Sequence, residues 1–233
     1  MKRSEGEDPS FPRGGNDGSS APNHTIHFGL CKLILRIFMN TSLREQLIDM
    51  ANEDKKVRAE LAATGELFDG YAPRMAEVHS RNAMQLKEII TQYGWPGTSL
   101  VGEDGSEAAW LILQHAIGNP DLQRRCLPLL EKATASGDIK AAHVAYLHDR
   151  ICFFERRAQR YGTQFDWDEN GQINPWQLEA PERVDEYRHS VGLEPLAHKI
   201  AEAQDNTKGE TPPDFQKRQA EMLEWAKSVG WME

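Results

Sequence analysis

Residues 139–171 read IKAAHVAYLHDRICFFERRAQRYGTQFDWDENG, and this stretch contains both kinds of secondary structure that we predict for the chain. Apolar residues recur at helical spacing from Val144 to Ala158, which predicts a helix from about residue 139 to 160, the longest of the chain. Residues 163–168 then alternate as in a strand, and Asn170-Gly171 favours a tight hairpin turn. A long helix followed by one hairpin indicates a mainly α-helical protein.

Helical patterns continue on both sides of this stretch. Ser42 and Glu45 form a capping box, which predicts the start of a helix that runs to about residue 62. Residues 97–102 are predicted to be a loop before a helix that ends near Gly118. Pro128 predicts a kink or a break in the helix after that one. We therefore expect a mainly α, multi-helix single domain with about eight helices.

The polar and apolar composition suggests four segments. Residues 1–24 resemble a disordered tail, 25–204 a helical domain with a hairpin near 163–178, 205–213 a linker, and 214–233 an appended C-terminal amphipathic helix that is capped at Asp214. The apolar run at Ile26–Phe38 is too short and too charged to span a bilayer. We interpret it as a helix that packs on the core, and the alternative is an anchor at a membrane surface.

Composition excludes several classes of function. The chain has 233 residues and a formal net charge of −9, which argues against nucleic acid as the partner. Its three cysteines form no C-x-x-C pair, which favours reduced thiols in a cytoplasm. No signature of a nucleotide, hydrolase or zinc-binding fold occurs, so we predict no cofactor. His148 and Cys152 are four residues apart but lack a third ligand nearby, so we predict no metal.

His115 and the pair Asp149-Arg150 are polar residues in otherwise apolar helices. A histidine at a helix end is either a hydrogen-bonded core residue or a general acid or base that faces a cleft. Adjacent residues on a helix point in different directions, so Asp149 and Arg150 each need a partner elsewhere. We predict that His115 is the general acid or base, that Asp149 orients it or a water molecule, and that Arg150 binds an anionic group.

A dense polar segment follows the long helix. Its amide, hydroxyl and phenol groups can bind a polar ligand, or can bond to the free carbonyl groups of the helix end. We predict that these residues position the substrate: Gln159, Tyr161, Thr163 and Gln164. The predicted function is an enzyme, hydrolase-like because hydrolysis needs no cofactor, that acts on a small polar or anionic molecule. The alternative is a ligand-binding or protein-interaction module in which these residues form a buried structural network.

The hairpin has a competing interpretation. Residues 166–173 match the first eight positions of an EF-hand calcium loop, with oxygen ligands at positions one, three and five and glycine at six. The match then fails, because Gln177 stands where a bidentate glutamate is required and Pro175 interrupts the exiting helix. The hairpin is therefore the favoured interpretation.

Several short motifs of this chain also occur together in a known family. They are Gly94-Trp95-Pro96 with Val101-Gly102, Gln114-His115, Asp149-Arg150, Gln159-x-Tyr161-Gly162-Thr163-Gln164, and Val184-Asp185 with Arg188 and Gly192-Leu193-x-Pro195-Leu196. Over about residues 45–200 the chain resembles the uncharacterised bacterial family catalogued as domain of unknown function 6624. The resemblance implies a short variable turn in place of a calcium loop, and it implies no particular activity.

Overall fold

The computed structural model describes residues 39–66 and 71–233. The predicted tail at 1–24 and the predicted helix at Ile26–Phe38 lie outside these residues. The described part is mainly α-helical with one antiparallel two-stranded hairpin, which confirms the predicted fold class. The helices are α1 (Thr41–Thr64), α2 (Pro73–Tyr93), α3 (Thr98–His115), α4 (Pro120–Ala135), α5 (Ala141–Phe154), α6 (Val184–Ser190), α7 (Leu196–Asn206) and α8 (Phe215–Val229). Among them, none is long and apolar enough to cross a membrane.

Helices α1, α2 and α3 pack against one another and form the part of the core that carries the candidate site. On α1, buried residues recur at helical spacing at Leu43, Leu47, Met50 and Asp54. On α2, His79 lies on the buried face of the helix, between Met75 and Leu86. Two polar side chains therefore occupy core positions on facing helices.

Some helix ends differ from the predictions. The capping box at Ser42 and Glu45 is wrong, because Asn40 is the N-cap and its side chain accepts a hydrogen bond from the Leu43 amide at 3.0 Å. The predicted loop at 97–102 is a helical turn that Gly102, with φ 74°, interrupts within α3. Helix α3 ends at His115, three residues before the predicted Gly118, and α4 continues through Pro128.

Helix α5 is shorter than predicted. It ends at Phe154 after 14 residues, whereas α1 has 24 and is the longest described helix. The chain leaves the helix at Arg156, which has φ 58°, and Gln159 then forms a parallel bridge with Leu178. The backbone amides of Arg160, Tyr161 and Thr163 donate hydrogen bonds to the Asp149 side chain of α5, so these residues form a turn beside the helix and do not extend it.

The predicted hairpin is confirmed. Strand β1 (Phe165–Trp167) pairs with β2 (Ile173–Pro175), and Asp166 is opposite Asn174. In the turn, the Asp168 carboxylate accepts hydrogen bonds from the amides of Asn170 and Gln172, and Gly171 has φ 69°. Arg218 donates a hydrogen bond to the Asp166 carboxylate at 2.6 Å. Asp166 and Asp168, two of the ligands in the calcium-loop interpretation, therefore both accept hydrogen bonds from protein groups.

Helix α8 is capped as predicted by Asp214, whose side chain accepts a hydrogen bond from the Lys217 amide at 2.7 Å. Beyond its end, the indole of Trp231 donates a hydrogen bond to the Ile117 carbonyl at 2.8 Å. Ala226 and Trp231 belong to the main core. This attachment fixes α8 beside the C-terminal end of α3, where His115 lies.

Candidate functional site

The C-terminal end of α3 brings His115 next to two buried residues, Asp54 on α1 and His79 on α2. Nδ1 of His115 is 2.9 Å from each carboxylate oxygen of Asp54. Nε2 of His79 is 3.2 Å from Oδ2 of the same carboxylate, and the two imidazole centroids are 5.0 Å apart. We refer to Asp54, His79 and His115 as the Asp54 cluster.

The members of the Asp54 cluster differ in exposure. The side chain of Asp54 is 1% exposed and that of His79 is 8%, whereas that of His115 is 23%. Burial by itself raises the pKa of Asp54, but the hydrogen bond with His115 and the close approach of the His79 ring outweigh it and hold the pKa below its usual range. Asp54 is therefore a buried, ionised carboxylate, and His115 is the member that reaches toward solvent.

His79 is held from its other side by a tyrosine. The Tyr71 hydroxyl lies 2.7 Å from Nδ1 of His79, and burial together with the Asp54 charge raises the pKa of Tyr71, so the hydroxyl stays protonated. Nε2 of His79 is near Asp54 but is poorly aligned with it, and it has no hydrogen-bond partner among the described residues. The cluster thus contains a buried ring nitrogen whose hydrogen bonding is unsatisfied.

A cavity of about 320 Å³ adjoins the cluster. Its walls include Tyr71, His79 and Trp225 of α8, together with Ala116, the residue that follows His115. The Trp225 ring meets the Tyr71 ring edge-on with centroids 5.8 Å apart. A larger groove of about 840 Å³ between α1 and α3 is lined by other residues, which include Asn52, Lys55, Glu103, Glu107 and Gln114. The smaller cavity is the one whose wall includes a member of the cluster.

Asp149, the predicted partner of His115, has a different environment. Its side chain is fully buried and accepts hydrogen bonds from the amides of Arg160, Tyr161 and Thr163 at 2.9–3.0 Å and from the Thr163 hydroxyl at 3.1 Å. His148 lies 3.1 Å away, and its hydrogen bond to Asp149 raises the pKa of His148 to about 9. Asp149 thus holds the 160–163 turn, and the structure pairs His115 with Asp54.

The remaining predicted binding residues join the same turn. Gln159 is fully buried; its amide group donates to the carbonyls of Gln164 and Trp176 and accepts from the Gln164 amide, all within 3.0 Å. The Gln164 side chain donates to the Thr163 hydroxyl, and the Tyr161 carbonyl accepts a hydrogen bond from Arg188 at 2.7 Å. We refer to these residues as the Asp149 network: Asp149, Gln159, Tyr161, Thr163 and Gln164.

Arg150 links α5 to the end of α3. Its Nη1 donates to the Gln114 carbonyl at 2.5 Å, one residue before His115, while its buried Nε has no hydrogen-bond partner among the described residues. Burial lowers the pKa of Arg150 to about 10, so the guanidinium stays charged at neutral pH. Of the predicted site residues, Arg150 is the one that the structure ties to the segment carrying His115.

A family model described as a family of unknown function, DUF6624, matches residues 41–209. The chain belongs to this family. The DUF6624 match agrees with the resemblance seen in the sequence, and it includes the Asp54 cluster and the Asp149 network but not α8. No curated protein and no solved structure matches the chain.

Sequence reasoning assigned no chemical role to Asp54 or His79. The available signal was an acidic residue on the apolar stripe of α1, at the spacing of Leu47 and Met50. Spacing along the sequence reveals only ligand pairs that are neighbours on one helix, such as His148 and Cys152. The Asp54 cluster, in contrast, draws one residue from each of three helices of this DUF6624 protein.

Proposed function

We propose that this DUF6624 protein is a hydrolase-type enzyme that acts on a small polar or anionic substrate at the Asp54 cluster. The observation that supports the proposal is a buried carboxylate, Asp54, that holds the partly exposed His115, in a cluster whose His79 lines a cavity. A carboxylate that bonds to one ring nitrogen fixes the tautomer and orientation of an imidazole. Asp54 thus takes the orienting role that the sequence had suggested for Asp149.

The proposed reaction uses the free nitrogen of His115. Because Nδ1 contacts Asp54, Nε2 is the nitrogen left to accept a proton from water. The water oxygen bonds to the electrophilic carbon or phosphorus of the substrate, and the bond to the leaving group breaks. The imidazolium then returns the proton to the leaving group, so one water molecule is added across one bond.

Arg150 is proposed to bind an anionic group of the substrate. The guanidinium is charged, and none of the ion pairs among the described residues involves it. Its contact with the Gln114 carbonyl keeps it near the segment that carries His115. A guanidinium with a free Nε suits a carboxylate or phosphate group.

The proposal includes a cytoplasmic location and a small-molecule partner. Cys126 and Cys152 are both buried free thiols, as expected in a reducing compartment. The net charge of −9 favours a small molecule over nucleic acid.

A non-catalytic module is the second candidate, and the observation that favours it is the Asp149 network. Asp149 and Gln159 are fully buried, and their side-chain oxygens accept hydrogen bonds from the 160–164 backbone. Such a network fixes the hairpin against α5 without needing a substrate. Under this candidate, the polar residues of the network serve packing alone.

Hydrolysis of two simple probes tests the proposal. We expect the full chain to hydrolyse p-nitrophenyl phosphate, an anionic probe, faster than p-nitrophenyl acetate, a neutral one. His115→Gln should lower kcat/KM at least about 100-fold, the usual contribution of a general acid or base. His189→Gln, on the exposed side of α6, is the matched control and should keep the wild-type rate. Absence of hydrolysis of both probes, or equal rates for His115→Gln and the wild type, would contradict the proposal.

A further inference from the structure

We infer that the Asp54 cluster binds one divalent transition-metal ion of the zinc type, with Asp54, His79 and His115 as its ligands. The inference depends on the proposed function only for the use of this metal in catalysis; the binding of the metal is a separate claim. Metal binding is supported by the spacing of the ligand atoms, by the unsatisfied nitrogen of His79 and by the Tyr71 hydroxyl on the other side of that ring.

The ligand atoms have the spacing of a metal site. One carboxylate oxygen and two ring nitrogens, one from each residue, all lie within 4.8 Å of one another. The separations from Asp54 oxygen are 2.9 Å to His115 and 3.2 Å to His79. With bonds of about 2.0–2.1 Å to tetrahedral zinc, neighbouring ligand atoms lie about 3.3 Å apart. The two separations from Asp54 are already within a few tenths of an ångström of that value, and the separation of the two ring nitrogens is at most 4.8 Å.

The second observation is the nitrogen of His79 that faces the cluster. Nε2 is buried within 3.2 Å of Asp54, yet it has no hydrogen bond of good geometry to any described residue. Buried polar atoms are rarely left without a partner, and such atoms call for an explanation. A cation between the imidazole and the carboxylate supplies the missing partner, because the nitrogen lone pair then points at the metal.

The third observation lies on the other side of the same ring. Imidazoles that bind a metal almost always donate their second N–H to an oxygen, which fixes the tautomer. The Tyr71 hydroxyl oxygen is 2.7 Å from Nδ1 of His79 and can accept that hydrogen bond. With Nδ1 protonated, Nε2 carries the lone pair that a metal requires.

The ligand set indicates which metals fit. Two imidazoles and one carboxylate are typical of zinc and other late divalent transition metals, whereas Mg²⁺ and Ca²⁺ prefer oxygen ligands alone. Three protein ligands leave a fourth position for water, and the adjoining cavity, which His79 lines, can supply it. A metal held by Asp54, His79 and His115 would supply Lewis-acid activation of water, and His115 would then serve as a ligand.

Titration calorimetry of the chelator-treated full chain tests the inference. We expect one Zn²⁺ per chain with micromolar or tighter affinity, and binding at least 100-fold weaker for both Asp54→Asn and His79→Gln. His143→Gln is the matched control, because His143 is also buried with an unbonded ring nitrogen but lies outside the cluster, and it should bind like the wild type. Circular dichroism of each variant checks that it is folded, and the two variants remove different ligands.

Other outcomes would overturn the inference: no saturable Zn²⁺ binding, equal affinity of Asp54→Asn and the wild type, or Mg²⁺ binding as tight as that of Zn²⁺. Hydrolysis assays on the same samples separate the two claims. If the wild type binds no Zn²⁺ but hydrolyses the probes after chelation, the metal site is contradicted and the proposed function stands. If it binds Zn²⁺ at the cluster but hydrolyses neither probe, the metal site stands and the proposed function is contradicted.

Discussion

The Asp149 network and the Asp54 cluster both bury a carboxylate beside an imidazole, yet their hydrogen bonding is opposite in character. Asp149 is surrounded by backbone amides and a hydroxyl, and each of these donors bonds to it. Asp54 has two imidazoles as neighbours, one of them poorly aligned and unsatisfied, and a cavity adjoins the cluster. A carboxylate whose oxygens already accept hydrogen bonds from nearby backbone amides stabilises a turn. A carboxylate held by ring nitrogens that can still form a further bond is able to take part in metal binding or catalysis.

The largest effect that we expect from this difference is on stability. Asp149→Asn places an amide NH₂ group against backbone N–H donors, so at least one buried donor loses its partner. The free energy of unfolding should fall by about 3 kcal/mol, as measured by urea denaturation. Glu182→Gln, an exposed control, should change it by less than about 0.5 kcal/mol. A loss of under 1 kcal/mol for Asp149→Asn would show that the network does not stabilise the fold as we describe.

A smaller effect is expected behind the Asp54 cluster. Tyr71→Phe removes the hydroxyl that contacts His79, and should weaken Zn²⁺ binding about 10-fold. The free energy of unfolding should fall by about 1 kcal/mol, because Nδ1 of His79 loses its hydrogen-bond partner. Tyr93→Phe, at an exposed tyrosine, is the control and should bind Zn²⁺ like the wild type. Calorimetry measures both variants, and an unchanged affinity in Tyr71→Phe would mean that the tyrosine does not orient His79 for a metal.

The smallest effect that we expect is a pH dependence in the Asp149 network. The Asp149 hydrogen bond raises the pKa of His148 from 6.5 to about 9, and Cys152, Tyr161 and Glu179 are the other titratable groups near it. A raised pKa stabilises the fold fully below pH 6.5, and the contribution is lost as the pH rises through 9. We expect a loss of about 1 kcal/mol between pH 7 and 9, since the side chain is a quarter exposed.

His148→Gln provides the reference for this pH dependence, because it removes the titrating group and keeps a polar side chain at the position. The difference in unfolding free energy between the wild type and His148→Gln should shrink as the pH rises from 7 to 9. A difference that stays constant over this range would contradict the assigned pKa shift.

The sequence predicted the parts of the molecule that depend on local pattern. The hairpin around Asn170-Gly171 and the cap at Asp214 follow from turn and capping preferences, and both are confirmed. The predicted end of α5 was wrong because the Asp149 side chain accepts hydrogen bonds from the amides of Arg160, Tyr161 and Thr163, which a periodic pattern does not reveal. The dense polar residues at 159–164 predicted a binding site, but in the structure they mostly hydrogen-bond to one another and to Asp149.

The Asp54 cluster could be predicted only in part. His115 stood out as a polar residue at the end of an apolar helix, whereas Asp54 and His79 are 61 and 36 positions away. Their meeting depends on how α1, α2 and α3 pack, which is a tertiary property. An acidic residue on the buried stripe of α1 was the local signal, because a charge is rarely buried without a partner.

The most direct test of the distinction between the two regions is the effect of Zn²⁺ on thermal unfolding of the wild type, Asp54→Asn and Asp149→Asn. A ligand that binds only the folded state raises Tm, so the wild type and Asp149→Asn should both be stabilised by Zn²⁺, although Asp149→Asn starts from a lower Tm. Asp54→Asn should show little or no shift. A full shift in Asp54→Asn, or one lost only in Asp149→Asn, would contradict the assignment of the reactive centre to the Asp54 cluster.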